Sequence, residues 1–124
     1  MDAEALRAWL DAYGRAWETR DPDAAVELFS EDATYRETPF GVVMEGRDAI
    51  RSYWQEIPET QRDISFGADI LGLDPALVHW WSSYTRIRDD APVRLDGVFL
   101  LEFDDASRCT KLREWWHADP GPAL

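Results

Sequence analysis

After Thr60 the hydrophobic period of this chain changes from about 3.6 residues to 2 and stays there to His117. That single switch restricts the fold more than any other feature. Before it, Leu6, Trp9, Leu10, Tyr13, Ala16 and Trp17 recur at helical spacing, which predicts one amphipathic helix over residues 3–19. Asp21-Pro22 supplies an N-cap and a proline at the first helical position, opening a second helix to about Phe29. Ser30-Glu31-Asp32 closes it, Ala33 to Glu37 reads as a short strand, and Pro39-Phe40-Gly41 makes a turn. A third helix is expected from Arg47 to Ile57, with Ile50, Tyr53, Trp54 and Ile57 on one stripe and Pro58 just past its end. Beyond the switch, Ile64, Phe66, Ala68 and Ile70 alternate as in a strand with one buried face. Further strands are expected over Leu77–Ile87, Val93–Phe103 and Arg108–His117, separated by polar turns. Helices first and a four-stranded antiparallel meander second is an α+β arrangement.

The 124 residues suit one domain, expected over 1–117, with a Pro- and Gly-rich tail at 118–124 expected to be disordered. A net charge of −12 argues against nucleic acid or an anionic membrane as partner. The single Cys109 leaves no internal disulfide and no thiol-rich metal site. The histidines and carboxylates show no metal-ligand spacing and there is no phosphate loop, so neither metal nor cofactor is expected. The acidic start does not read as a secretory signal, and no apolar run approaches the ~18–20 residues of a membrane span. A cytoplasmic location is the expectation.

Seven tryptophans stand out next. Trp is large, rigid and rarely filled in on all sides, so a cluster with a few polar neighbours suits the wall of a small-molecule pocket. Two segments carry the densest groups: His79-Trp80-Trp81-Ser82-Ser83-Tyr84 and Arg113-Glu114-Trp115-Trp116-His117. Neighbours on a strand face opposite ways, so one Trp of each pair belongs inside and the other covers the outer sheet face. Trp116 shares its parity with Glu114 and Leu112, and is expected inside; the choice between Trp80 and Trp81 stays open. An exposed outer Trp would form an apolar patch, so a homodimer is expected.

Three segments carry a family likeness: Leu28-Phe29-Ser30-Glu31-Asp32-Ala33-Thr34-Tyr35, the glycine-led Gly46-Arg47-Asp48-Ala49-Ile50-Arg51-Ser52-Tyr53-Trp54, and Phe103 through Arg113. With the order of elements, they make the chain resemble the nuclear transport factor 2-like fold. The nearest branch is the SnoaL-like one, of polyketide cyclase and ketosteroid isomerase type. The resemblance implies three N-terminal helices packed on a curved antiparallel sheet, forming a cystatin-like cone. It also turns Glu114 and Trp116 toward the cavity. In ketosteroid isomerase an oxyanion-hole tyrosine precedes the aspartate before the second helix by eight residues, which is the place of Tyr13 here. The isomerase base lies just before a proline, which falls on Glu37 or Thr38 depending on the counting. Its protonated acid lies four residues before a phenylalanine; counting back from Phe103 gives Phe99, so steroid isomerisation is not implied. The resemblance implies Trp17, Tyr35, Phe40, Trp54, Phe99 and Trp116 as lining for a small apolar molecule. Tyr13, Glu37, Glu114 and His79 are the candidate catalytic groups.

Each candidate has a plainer reading. Tyr13 either donates to a ligand or belongs to the apolar stripe of the first helix. Glu37 is either a base or an ion-pair partner of Arg36 or Arg47. Glu114, an acid between apolar positions, must pair with an arginine such as Arg86 or Arg94, or serve the pocket. Asp96, beside Gly97, suits an edge or turn. His79 has the chemistry of a proton shuttle, while His117 suits a solvated strand end. The readings thus divide between a cofactor-free acid–base enzyme (isomerase, cyclase, dehydratase or hydrolase) and a non-catalytic ligand-binding or dimerisation domain. The room in the cavity and the partners of Glu37 and Glu114 separate them.

Overall fold

The computed structural model describes residues 1–120. Helix α1 spans Ala3–Glu18, capped by the Asp2 carboxylate, which accepts from the Ala5 N–H at 2.8 Å. It buries the predicted stripe of Leu6, Trp9, Leu10, Tyr13, Ala16 and Trp17. Helix α2 (Pro22–Val26) begins at the Asp21–Pro22 signal but stops short of Phe29. Phe29 instead opens strand β1 (Phe29–Arg36), where it pairs with Cys109. The Cys109 N–H donates to the Leu28 carbonyl at 2.8 Å, so strand pairing overrides helical continuation there.

The two-residue strand β2 (Met44–Glu45) leads into α3 (Gly46–Trp54), and α4 (Ile57–Thr60) follows. Pro58 sits at the start of α4, where a missing N–H costs nothing, so it marks a new turn of helix rather than an end. The remaining strands are β3 (Gln61–Leu73), β4 (Ala76–Arg86), β5 (Ala91–Phe103) and β6 (Cys109–Ala118). No helix among the described residues is long and apolar enough to cross a membrane.

The sheet order is β2-β1-β6-β5-β4-β3. The antiparallel meander β3–β6 is as expected. The sheet is nevertheless six-stranded and mixed, because β1 joins β6 in parallel (Tyr35 opposite Leu112, Arg36 opposite Arg113) and β2 adds antiparallel to β1. A two-residue strand has no periodicity to read, and the β1–β6 register links segments from opposite ends of the chain. Strand β6 also continues to Ala118, and the Asp119 N–H donates to the Arg94 carbonyl at 2.9 Å. The sheet thus runs past the expected boundary at His117 into the first residues of the expected tail; its residues 121–124 lie outside the described residues.

Helix α1 packs on β3 and α3 on β1, so the two helices cover opposite halves of one sheet face. Their meeting point is Tyr13, whose ring lies 5.3 Å from each of Trp9, Trp54 and Phe99 and 5.5 Å from Phe66. Gly97 permits the centre of the sheet to pack closely. It stands opposite Trp80 on one side and Trp116 on the other, and a Cβ there would lie 2.5 Å from the Trp115 carbonyl and 2.8 Å from the Trp116 Cβ.

Candidate active site

Strand parity resolves the tryptophan pairs. On β4, Val78, Trp80 and Ser82 point inward, while His79 and Trp81 point out. On β6, Leu112 and Glu114 are buried with Trp116 packed beside the core, and Trp115 is 39% exposed. The inward set, with α1, α3 and α4, encloses a cavity of about 300 Å³. That is roughly ten times the ~30 Å³ share of a liquid water, enough for a small organic molecule.

The walls are aromatic: Tyr13, Trp17, Tyr35, Tyr53, Trp54, Trp80, Tyr84 and Trp116 all reach the cavity. Much of their hydrogen-bonding capacity is used within the protein. Trp17 Nε1 donates to Gln61 Oε1 at 2.8 Å. The indole N–H groups of Trp54 and Trp80 are buried with no partner among the described residues. The Tyr13 and Tyr35 hydroxyls bond to each other at 2.8 Å, and the Tyr53 hydroxyl donates to Glu37 Oε2. Burial holds Tyr13, Tyr35 and Tyr53 well above the usual phenol range, so all three stay protonated.

Glu114 is the most unusual group in the molecule. Its residue surface is only 6% exposed, it lines the cavity, and no described residue hydrogen-bonds or ion-pairs with it. Both arginines proposed for it are engaged elsewhere: Arg86 with Asp89 at 2.8 Å, and Arg94 with Asp119 at 3.5 Å. Burial pushes its carboxyl well above the ordinary range, and the negative charge of Glu37 pushes it the same way. Glu37 follows β1 and lines the same cavity. It is not paired with either proposed arginine, because Arg36 donates to the Pro39 carbonyl and Arg47 to the Phe29 carbonyl. Thr38, the other candidate for the base position, is not part of the cavity wall. The cavity thus holds two carboxyl groups in different surroundings, one buried and without a protein partner and one hydrogen-bonded by the Tyr53 hydroxyl, the kind of difference that separates an acid from a base.

Of the residues expected at the site, Tyr13, Glu37, Glu114, Trp17, Tyr35, Trp54 and Trp116 are brought together. Three are not. His79 faces the outside of the sheet, with Nε2 3.0 Å from both carboxylate oxygens of Asp96, because it shares parity with Trp81. Phe40 is 99% exposed in the β1–β2 loop, where nothing holds it against the helices. Phe99 points inward but lies beneath the cavity as core, 5.3 Å from both Tyr13 and Trp80. Tyr53, Tyr84, Glu56 and Gln61 also line the cavity and were not singled out by sequence. Tyr53 carried a signal, since it lies on the apolar stripe of α3 with a hydroxyl that needs a partner.

Residues 6–111 match the SnoaL-like domain. No protein of curated function matches the sequence significantly. Among solved structures, the chain is similar to the epoxide hydrolase/cyclase-like enzyme SalBIII, with a role in pyran ring formation in the polyether salinomycin. The identity is 24% and the TM-score 0.80, over 94% of this chain and 93% of that one. It is also similar to a Catenulispora acidiphila protein of ketosteroid isomerase-like fold, in complex with trimethylamine. There the identity is 19% and the TM-score 0.73, over 93% and 86% of the two chains. A ketosteroid isomerase-like protein from Erwinia carotovora atroseptica matches at 17% identity and a TM-score of 0.68, over 92% and 96%.

Proposed function

This chain belongs to the SnoaL-like domain family, and on that premise we propose that it is a cofactor-free acid–base enzyme acting on a small apolar or aromatic molecule. The observation that carries this reading is Glu114, buried at the cavity wall without a protein partner and sharing that cavity with Glu37. A buried unpaired carboxyl is costly, so a fold that places one on a cavity wall is consistent with use there.

Glu114, whose carboxyl burial pushes well above its ordinary range, is the acid, and Glu37, oriented by the Tyr53 hydroxyl, is the base. In a ring closure or hydrolysis, Glu37 takes the proton of the attacking hydroxyl or water while Glu114 gives one to the departing oxygen. In an isomerisation, Glu37 removes a carbon-bound proton and Glu114 steadies the oxygen that gains charge. The Tyr13–Tyr35 pair has two protons and one mutual bond, leaving one proton to donate to the same oxygen. Acid–base assistance of this kind is worth about 10²–10⁴ in rate. The ring-forming role described for SalBIII supports that class of reaction.

Two copies are proposed to associate through the outer sheet face, where Trp81 is 40% and Trp115 39% exposed.

The test is incubation in D₂O with a panel of aryl ketones and aryl epoxides, read by mass spectrometry for deuterium uptake or hydration. Turnover that falls about 100-fold or more in Glu37→Gln and Glu114→Gln supports the enzyme. Ligand binding without turnover across the panel supports the non-catalytic binder instead.

A further inference from the structure

The charge and ring content of the cavity narrow its ligand. Three carboxyl side chains, Glu37, Glu56 and Glu114, reach the wall, and no Lys, Arg or His side chain does among the described residues. The guanidinium of Arg20 is held outside it on the Pro58 and Gln61 carbonyls, both at 3.4 Å. An anionic ligand would meet repulsion with nothing to offset it.

The rings add to the same field. The face of an indole or phenol ring is the negative side of its quadrupole, and such faces attract cations within about 6 Å of the ring centre. Of the donors on the wall, Trp17 Nε1 is spent on Gln61 and the Tyr53 hydroxyl on Glu37, and the Trp54 and Trp80 indole nitrogens are buried. Glu114 is the independent observation, 6% exposed, unpartnered and on the cavity wall. The whole chain carries −12, which draws the same class of ligand toward the opening.

We infer that the molecule bound in this cavity carries a cationic nitrogen, an alkylated ammonium seated against the aromatic walls between the carboxyl groups of Glu37 and Glu114. This rests on the reading of the cavity as the substrate site, and it narrows that substrate to a small amine or quaternary ammonium compound.

The test uses choline and its uncharged isostere 3,3-dimethylbutan-1-ol, which differ only in nitrogen against carbon. Each is titrated into the full chain at neutral pH while Trp fluorescence is followed. Choline should bind at least about tenfold more tightly than the alcohol. That preference should fall below about threefold in Glu37→Gln. Equal or tighter binding of the alcohol overturns the inference and leaves the cavity as a substrate site. Failure of both compounds to bind also overturns the inference, while the substrate-site reading is decided separately by the aryl ketone and epoxide panel.

Discussion

Phe99 and Glu114 stand directly opposite each other on β5 and β6, both with buried side chains. The resemblance to ketosteroid isomerase, counted from Phe103, places that enzyme's protonated acid at Phe99. In this chain the carboxyl instead comes from the neighbouring strand, one ladder step across the sheet. A cavity can thus receive a neutral acid on its wall from either strand. The donor is aimed from a different direction, and substrates that fit one arrangement need not fit the other.

Replacing Glu114 by Gln should stabilise the fold at neutral pH by about 0.5–2 kcal/mol while removing activity. The sign follows from its raised carboxyl pKa. Below the ordinary value near 4.5, folded and unfolded chains both hold the proton. As pH rises past it, the unfolded chain loses the proton first, so the wild type loses stability up to the pH at which the folded carboxyl ionises. Thermal melts should therefore separate the two proteins near pH 7 and converge near pH 4. A gap that persisted at low pH would contradict this account.

The Tyr13–Tyr35 bond predicts strong non-additivity. Either single change to Phe leaves one hydroxyl buried without its partner and should cost about 1–3 kcal/mol. The double change removes both hydroxyls and should cost less than the sum. Urea melts of the four proteins give the coupling directly; simple additivity would mean that the two hydroxyls are independent.

Two glycines should respond differently to alanine. At Gly97 the added carbon meets the Trp115 backbone carbonyl at 2.5 Å, and backbone cannot swing aside. The cost should be about 1–3 kcal/mol, with a loss of ligand-induced fluorescence change. At Gly67 the clash at 2.5 Å is with the Trp81 ring, which is exposed and able to turn away. Gly67→Ala should be the milder change in a side-by-side melt.

The outer-face tryptophans should govern association. Light scattering at micromolar concentration should give a dimer for the wild type and a monomer for the Trp81→Ser, Trp115→Ser double variant. Ligand titrations should be unchanged, because both rings face away from the cavity. A wild type that elutes as a monomer would remove the proposed interface.

Much of this site was legible because strand parity is strict. Leu112, Glu114 and Trp116 could be assigned to one face from spacing alone, and they share it. The choice between Trp80 and Trp81 was not legible, since Val78-Trp80-Ser82 and His79-Trp81-Ser83 are equally mixed in polarity. Only pairing with Gly97 and Asp96 on β5 settles which way each points. His79 went with the wrong expectation for the same reason: its chemistry suggested a role that its parity denies. Phe40 was placed by ring type, but no neighbouring element holds its loop. Pro58 looked like a stop and proved to be a start, because proline is tolerated in the first turn of a helix as readily as it ends one.

The parallel contact between β1 and β6 also bears on how the protein is made. Phe29 must find Cys109, roughly eighty residues further along the chain. The Glu37 side of the cavity follows β1 and the Glu114 side lies on β6, so neither carboxyl has its counterpart until the last strand is synthesised. Such a high-separation pairing is slow to close. A nascent chain leaving the ribosome would therefore display its Trp-rich strands and an unpaired β5 edge before the cavity exists. The period of greatest aggregation risk would be the one just before the last strand seals the sheet.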